Sequence, residues 1–227
     1  MCGRYVTPDQ AAIERMWRIG RANSGPFPTR YNVAPTMQVP VLIAEEGGYG
    51  LHMARWGLIP TWWKKDTLPT LSFNARSEEA AQKPMWRDSI RSWRCLMPAL
   101  GWYEWCENEK TKGPSGRPCN QPYFLHCPGQ PVVAIAGIWS VWERPGAEPV
   151  LSCALLTREA APSIAGIHHR MPVVLPDGLQ DAWLDVQNDA GDIVAQARQD
   201  LAGYSVSTLV NGTKIDIPEL IQRIGTL

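Results

Sequence analysis

Short apolar runs bounded by glycine, proline, asparagine or serine dominate the chain, which is the signature of strands joined by turns. Val39–Ala44 and Leu51–Trp56 read as two strands across the turn Glu45-Glu46-Gly47-Gly48. Further strands are predicted at Tyr123–Cys127, Val132–Trp139, Leu151–Thr157 and Met171–Leu175, with a last one near Tyr204–Val210. Arg94 to Trp105 reads as a strand broken near Pro98 and Gly101.

Helical signals are fewer. Thr7-Pro8-Asp9-Gln10 offers a Thr cap with proline in the first turn, then Ile13, Met16 and Trp17 on one face and Gly20 as a stop. Ser77-Glu78-Glu79 caps a short helix that ends by Pro84. Two more helices are predicted at about 178–184 and 190–201. Arg21–Thr36 and Thr61–Ser72 read as loops, and the polar stretch Glu107–Gln121 as an exposed hairpin-like loop. Strands mostly follow strands, so the expected fold class is α+β. It is a single domain over 2–227, a largely antiparallel, barrel-like β-sheet with peripheral helices.

Composition narrows the function classes. The 227 residues carry 22 basic and 22 acidic side chains, so no global field draws the chain to a polyanion, and a local patch has to do so. No apolar stretch approaches ~18 residues and no basic-then-apolar leader opens the chain, so neither a membrane span nor a secretory signal is expected. The six cysteines form no CxxC pair, which favours free thiols, and a zinc site built from them and the four histidines is poorly signalled. Eleven tryptophans against three phenylalanines is unusual. Most are expected in the core, with some left to stack on a planar ligand.

Candidate chemistry begins at Cys2. Once Met1 is removed, Cys2 carries an α-amine of pKa near ~8 beside a thiol of pKa near ~8.5. Such a 1,2-aminothiol can attack as a thiol with its amine as base, or condense with an aldehyde to a thiazolidine. Asn74 and Arg76 precede a helix N-terminus, where anions are favoured. In Gly101-Trp102-Tyr103-Glu104-Trp105, a strand puts Trp102 and Glu104 on one face and raises the Glu104 pKa beside apolar rings. His168 and His169 on an extended segment point opposite ways, and His168-x-Arg170 suits an anionic ligand. Arg30–Pro35, Arg55-Trp56-Gly57 and Trp62-Trp63-Lys64-Lys65 interleave basic groups with flat rings, as single-stranded nucleic acid requires.

These segments follow one another in a recognisable order. They are Met1-Cys2-Gly3-Arg4-Tyr5, then Arg30-Tyr31-Asn32-Val33-Ala34-Pro35, then Arg55-Trp56-Gly57-Leu58-Ile59-Pro60 with Trp62-Trp63. Asn74-Ala75-Arg76-Ser77-Glu78, Arg94-Cys95-Leu96 with Gly101–Trp105, Ala136-Gly137-Ile138-Trp139, and Ile167-His168 with Arg170-Met171-Pro172-Val173 complete the set. The chain resembles the SOS response-associated peptidase (SRAP) family, whose members process abasic sites by crosslinking to DNA. The resemblance implies the SRAP fold and a Cys2 that forms a thiazolidine with the ring-opened sugar of an abasic site in single-stranded DNA.

It further implies that Asn74 orients the Cys2 end, that Glu104 moves protons for imine formation, and that His168 helps open the sugar. Arg4, Arg76 and Arg170 resemble phosphate and backbone contacts. Asn32, Pro35, Trp62, Trp63, Trp105 and Thr157 fall where the family lines its DNA channel and wedges the strand. AP-lyase and self-processing peptidase activities are implied as secondary. The expectation is a monomeric, cytoplasmic protein that joins the nucleoid on DNA, with no cofactor, no metal and no membrane. Nothing in the sequence supports a replication-associated partner. Three alternatives remain at this level: an N-terminal-nucleophile glutamine amidotransferase, a cysteine peptidase using Cys2, His168 and Asn74, and a non-catalytic single-strand DNA binder.

Overall fold

The computed structural model describes residues 2–22, 25–70 and 72–225. Met1, whose removal the Cys2 chemistry requires, lies outside the described residues, as do Asn23, Ser24 and Leu71 in the two expected loops. The strands are β1 (Tyr5–Thr7), β2 (Ile19–Ala22), β3 (Arg30–Val33), β4 (Gln38–Glu45), β5 (Gly48–Trp56), β6 (Asn74–Arg76) and β7 (Arg94–Ala99). They continue with β8 (Gly101–Lys112), β9 (Pro118–His126), β10 (Val133–Trp142), β11 (Val150–Glu159), β12 (Arg170–Pro172), β13 (Val174–Leu175) and β14 (Ala202–Ser205). The helices are α1 (Gln10–Met16), α2 (Ser77–Ala80), α3 (Pro84–Ser92), α4 (Gln180–Leu184) and α5 (Ala190–Ala195).

Two sheets carry the fold. A nine-stranded sheet runs β12-β11-β10-β7-β4-β5-β2, with β13 added on β10 and β6 on β11, and β11 also pairs in parallel with β5. That extra pairing joins β5, β4, β7, β10 and β11 into a closed barrel, which leaves those strands no exposed edge. A five-stranded sheet, β14-β9-β8-β1-β3, packs its inner face against the barrel, so Tyr5, Trp102 and Leu125 share one core with Val41, Trp56, Met97 and Leu155. Ladder pairs are antiparallel except at β2–β5, β5–β11 and β6–β11. The helices lie outside the barrel over Leu42, Leu96, Ala136, Ile138 and Leu156. The α+β, barrel-like architecture with peripheral helices is the one the apolar pattern predicts.

Local departures have local causes. Helix α1 is capped by Asp9, whose carboxylate accepts from the Ala12 N–H at 2.7 Å, and Thr7 instead pairs with Arg30 as the end of β1. The helix stops at Met16, so Gly20 lies in β2 and is not the stop. The expected loop Arg21–Thr36 contains part of β2 and all of β3, because both find partner strands far along the chain. Ser77 is the first helical residue of α2, not its cap, and Pro84 opens α3 in the first-turn position that tolerates it.

Pro98 sits inside β7, opposite Ala134, and the expected break falls at Leu100 instead. Gly101 then allows a close crossing: a Cβ there would meet the Leu125 carbonyl at 2.4 Å. The polar stretch Glu107–Gln121 is a true hairpin arm, with β8 and β9 paired out to Lys112 and Pro118. The predicted strand Met171–Leu175 is split at Val173, the final strand ends at Ser205, and α5 stops at Ala195 rather than at position 201.

Candidate functional site

The site grows out of strand β1. Tyr5 lies opposite Trp102, and the Tyr103 N–H donates to the Arg4 carbonyl at 3.0 Å. This pairing sets the first residues alongside β8, on which Glu104 follows. Cys2 is fully buried in the core between the barrel and the second sheet. Its thiol donates weakly to the Arg4 carbonyl at 3.8 Å. From the other side, Asn74 Nδ2 donates to the Cys2 carbonyl at 2.7 Å. Asn74 is delivered there by β6, which pairs in parallel with β11 at Leu155, and it is itself buried.

Glu104 and His168 complete the cluster. Glu104 is buried at 2% exposure, and Tyr103 and Trp105 turn to the opposite face, as the alternation predicts. Burial pushes its carboxyl up to about 8, so at neutral pH it is mostly the protonated acid. His168 Nε2 faces Glu104 Oε2 at 3.8 Å. The other ring nitrogen, Nδ1, faces the backbone of Arg170: protonated it donates to the carbonyl at 3.0 Å, and bare it accepts from the N–H at 3.1 Å. Burial lowers the His168 pKa, and His169 and the Glu107 carboxylate act on it from outside in opposite senses. The Cys2 thiol is pushed well up by its own burial and by Glu104.

One expectation fails here. His168 and His169 do not point apart: their rings lie 4.5 Å apart at 31° to each other, because the chain before β12 is a turn rather than a strand. His169 is the exposed member. Asn32 is also placed differently from a channel-lining group. It is 1% exposed; its Oδ1 accepts from Arg4 Nη1 at 2.8 Å, and its Nδ2 donates to the Gly212 and Ile215 carbonyls at 2.9 and 2.7 Å. Arg4 Nη1 also reaches the Val210 carbonyl at 2.8 Å. Both side chains thus anchor the segment after β14.

The remaining candidates divide between rim and wall. Trp62 is 43% exposed, and its ring lies 5.9 Å from that of Trp63, over which Lys65 sits at 5.5 Å. Pro35 is half-buried, and Arg76 is exposed with a loose 3.8 Å contact to Glu79. Trp105 donates through Nε1 to Asn211 Oδ1 at 2.7 Å. Thr157 is fully buried under Arg170, which donates to its carbonyl at 2.8 Å. The Arg170 fork does meet an anion, but that anion is Glu78, bound through both oxygens at 2.9 Å.

Glu78 is the participant that sequence reasoning passed over. It lies inside a motif already singled out, yet its partner is 92 residues away and left no local signal. Among the described residues, no three His, Cys, Asp or Glu side chains converge as a metal-binding group. No helix among them is long and apolar enough to cross a membrane.

Comparison with known proteins places the whole chain in a family. The family model described as SOS response associated peptidase (SRAP) matches residues 1–213. An "Abasic site processing protein YoqW" from Bacillus subtilis is 32% identical, over 98% of this chain and 99% of its own. "Abasic site processing protein HMCES" from Gallus gallus is 30% identical, over 88% of this chain and 68% of its own. A crystal structure from Bordetella bronchiseptica, 23% identical, superposes with a TM-score of 0.74 over 91% of this chain and all of that one. On these grounds the chain belongs to the SOS response-associated peptidase family.

Proposed function

We propose that this protein captures abasic sites in single-stranded DNA as a covalent thiazolidine on Cys2, after Met1 has been removed. The observation that carries the reading is the junction of Asn74, Cys2, Glu104 and His168. Asn74 holds the Cys2 carbonyl at 2.7 Å, beside a carboxyl that is mostly protonated at neutral pH and a histidine 3.8 Å from it. The family relatives named as abasic site processing proteins support the substrate class.

The chemistry follows from those protonation states. An abasic sugar rests mainly as a closed hemiacetal, and His168, neutral because burial lowers its pKa, can accept the hydroxyl proton as the ring opens. The freed Cys2 amine adds to the aldehyde carbon. Glu104, as the neutral acid, protonates the departing hydroxyl, so water leaves and an imine remains. The thiol then adds across the C=N bond: an S–C bond forms, the thiol proton passes to nitrogen, and the five-membered ring closes. One water is released and no oxidant is needed.

A thiol kept protonated by burial fits this order, with the amine first and the sulfur last. It fits poorly with an amidotransferase or peptidase, which needs sulfur as the opening nucleophile. β-Elimination from the imine would give the secondary AP-lyase activity, and Met1 removal by the same site the self-processing activity. Exposed Trp62 and half-buried Trp63, Pro35 and Trp105 serve as the strand's path, with Arg76 toward its phosphates, while the Arg170 fork stays engaged with Glu78. Arg4, Asn32 and Thr157 support the walls of that path. The setting is the cytoplasm, on DNA.

The test is a denaturing gel of the Met1-free protein with single-stranded DNA carrying one abasic site. The wild type is expected to give a band that survives denaturation, and Cys2→Ala to lose it while still retaining DNA at low salt. Retention without any wild-type covalent band would leave only a binding protein and sink the proposal.

A further inference from the structure

We infer that Glu78 is a positioning residue that clips together the two walls of the Cys2 site by gripping Arg170. The inference rests on the capture reading above. Asn74 and Glu78 belong to one continuous segment, β6 running directly into α2. His168 and Arg170 belong to the segment entering β12. Strand β11 separates them: it pairs with β6 at Thr157↔Arg76 and with β12 at Thr157↔Pro172. The bond between Glu78 and Arg170 spans this strand.

Its geometry is that of a clamp. Both guanidinium nitrogens Nη1 and Nη2 meet separate Glu78 oxygens at 2.9 Å, the bidentate form that fixes orientation as well as distance. Nη2 also donates to the Thr157 carbonyl at 2.8 Å. The Arg170 side chain is only 12% exposed, whereas Glu78 is 51% exposed, so the carboxylate closes the fork from the solvent side. Arg170 holds its Glu78 partner's pKa below the usual carboxylate range, so the clip stays charged across neutral pH.

The consequence reaches the chemistry through the backbone. The Arg170 carbonyl and N–H are the groups that hold His168 Nδ1 and so turn Nε2 toward Glu104. A loosened Arg170 therefore frees the His168 ring. The groups that would then set its titration are Glu104 and Glu107 on β8, the chain's amino terminus, the tilted ring of His169, and Arg170 itself. Loosening removes two opposing effects, the burial that lowers the ring's pKa and the Arg170 backbone hydrogen bond that raises it; burial is the larger, so the pKa rises toward the ordinary histidine value and the acid side of the rate profile moves up.

The experiment compares Met1-free wild type, Glu78→Ala, Glu78→Gln and Glu78→Asp. It measures the rate of covalent capture of a strand with a true abasic site against pH. It also measures retention of a strand with a tetrahydrofuran analogue, which has no aldehyde to capture. Glu78→Ala and Glu78→Gln are expected to slow capture by on the order of tenfold or more and to raise the acid-side midpoint, with tetrahydrofuran retention unchanged. Glu78→Asp is expected to restore part of both effects.

If Glu78→Ala does not fold, Glu78→Gln, which keeps the volume and one acceptor, gives the decisive comparison. A wild-type rate and profile in Glu78→Gln would overturn the inference. So would tighter retention, because Glu78 would then be a stand-in anion that the DNA displaces. Failure of the capture reading itself would show separately, as no wild-type covalent band.

Discussion

Two buried polar clusters meet at the N-terminal end of this chain, and they are built to opposite purposes. In one, Asn32 shares its amide among Arg4 and the Gly212 and Ile215 carbonyls at 2.7 to 2.9 Å. Asp216 takes the Tyr31 and Asn32 N–H groups at 2.5 and 3.1 Å. In the other, Glu104 and His168 face each other at 3.8 Å, beyond hydrogen-bond length, and burial displaces both from their usual titration ranges. Loss of water thus gives a fixed anchor where short hydrogen bonds surround the Asn32 amide, and shifted titration where a carboxyl and an imidazole are brought side by side. The first cluster holds the chain; the second is the one on which the capture proposal rests.

The sharpest way to break the comparison is in the anchor. Asn32→Ala strips several carbonyls and Arg4 of their partner at once, and is expected to cost about 3 kcal/mol of stability. Thermal melting reads this as a fall of about 6–12 °C. A melt within a degree or two of wild type would mean that the network is ornamental.

The second variant tests the reactive cluster through pH. Glu104 rises from its ordinary value to about 8 in the folded protein. The folded state therefore keeps a proton that the unfolded chain releases at lower pH. Its stabilising contribution is full below about pH 4.5 and declines as pH rises toward about 8. Glu104→Gln, neutral throughout, is expected to flatten that decline in urea unfolding measured at about pH 5 and about pH 8.5. The same variant is expected to slow capture by about a hundredfold, because the acid for water loss is gone. An unchanged pH slope would place Glu104 in contact with water.

The smallest effect belongs to a residue in neither cluster. Trp62→Ala removes a ring that is 43% exposed, and is expected to weaken retention of unmodified single-stranded DNA by about 1 kcal/mol. Its melting point should not move, and a large drop would assign Trp62 to the core.

Legibility followed range of interaction. The strands around Val41, Ile135 and Leu155 were readable because each carries its own apolar run between turns. Glu104 was readable because a carboxylate among Trp102, Tyr103 and Trp105 has to lose water when the strand is buried. Strands β1, β2, β3 and β6 were not, being three or four residues long and formed only because a remote partner is present. The direction of His169 relative to His168 was misread because alternation holds only for extended backbone, and that segment turns.

The sequence by itself determined the kinds of groups available: a cysteine at position 2, a carboxyl set among aromatic rings, a histidine and many tryptophans. Side-chain chemistry and apolar periodicity are local properties, so composition and order express them directly. Tertiary structure alone decided which groups meet. It brought Asn74 to Cys2, gave Asn32 to the segment after β14, and closed Glu78 over Arg170. Those pairings join residues 72 to 183 positions apart, and no short stretch of chain encodes a contact whose energy exists only once both partners have lost their water.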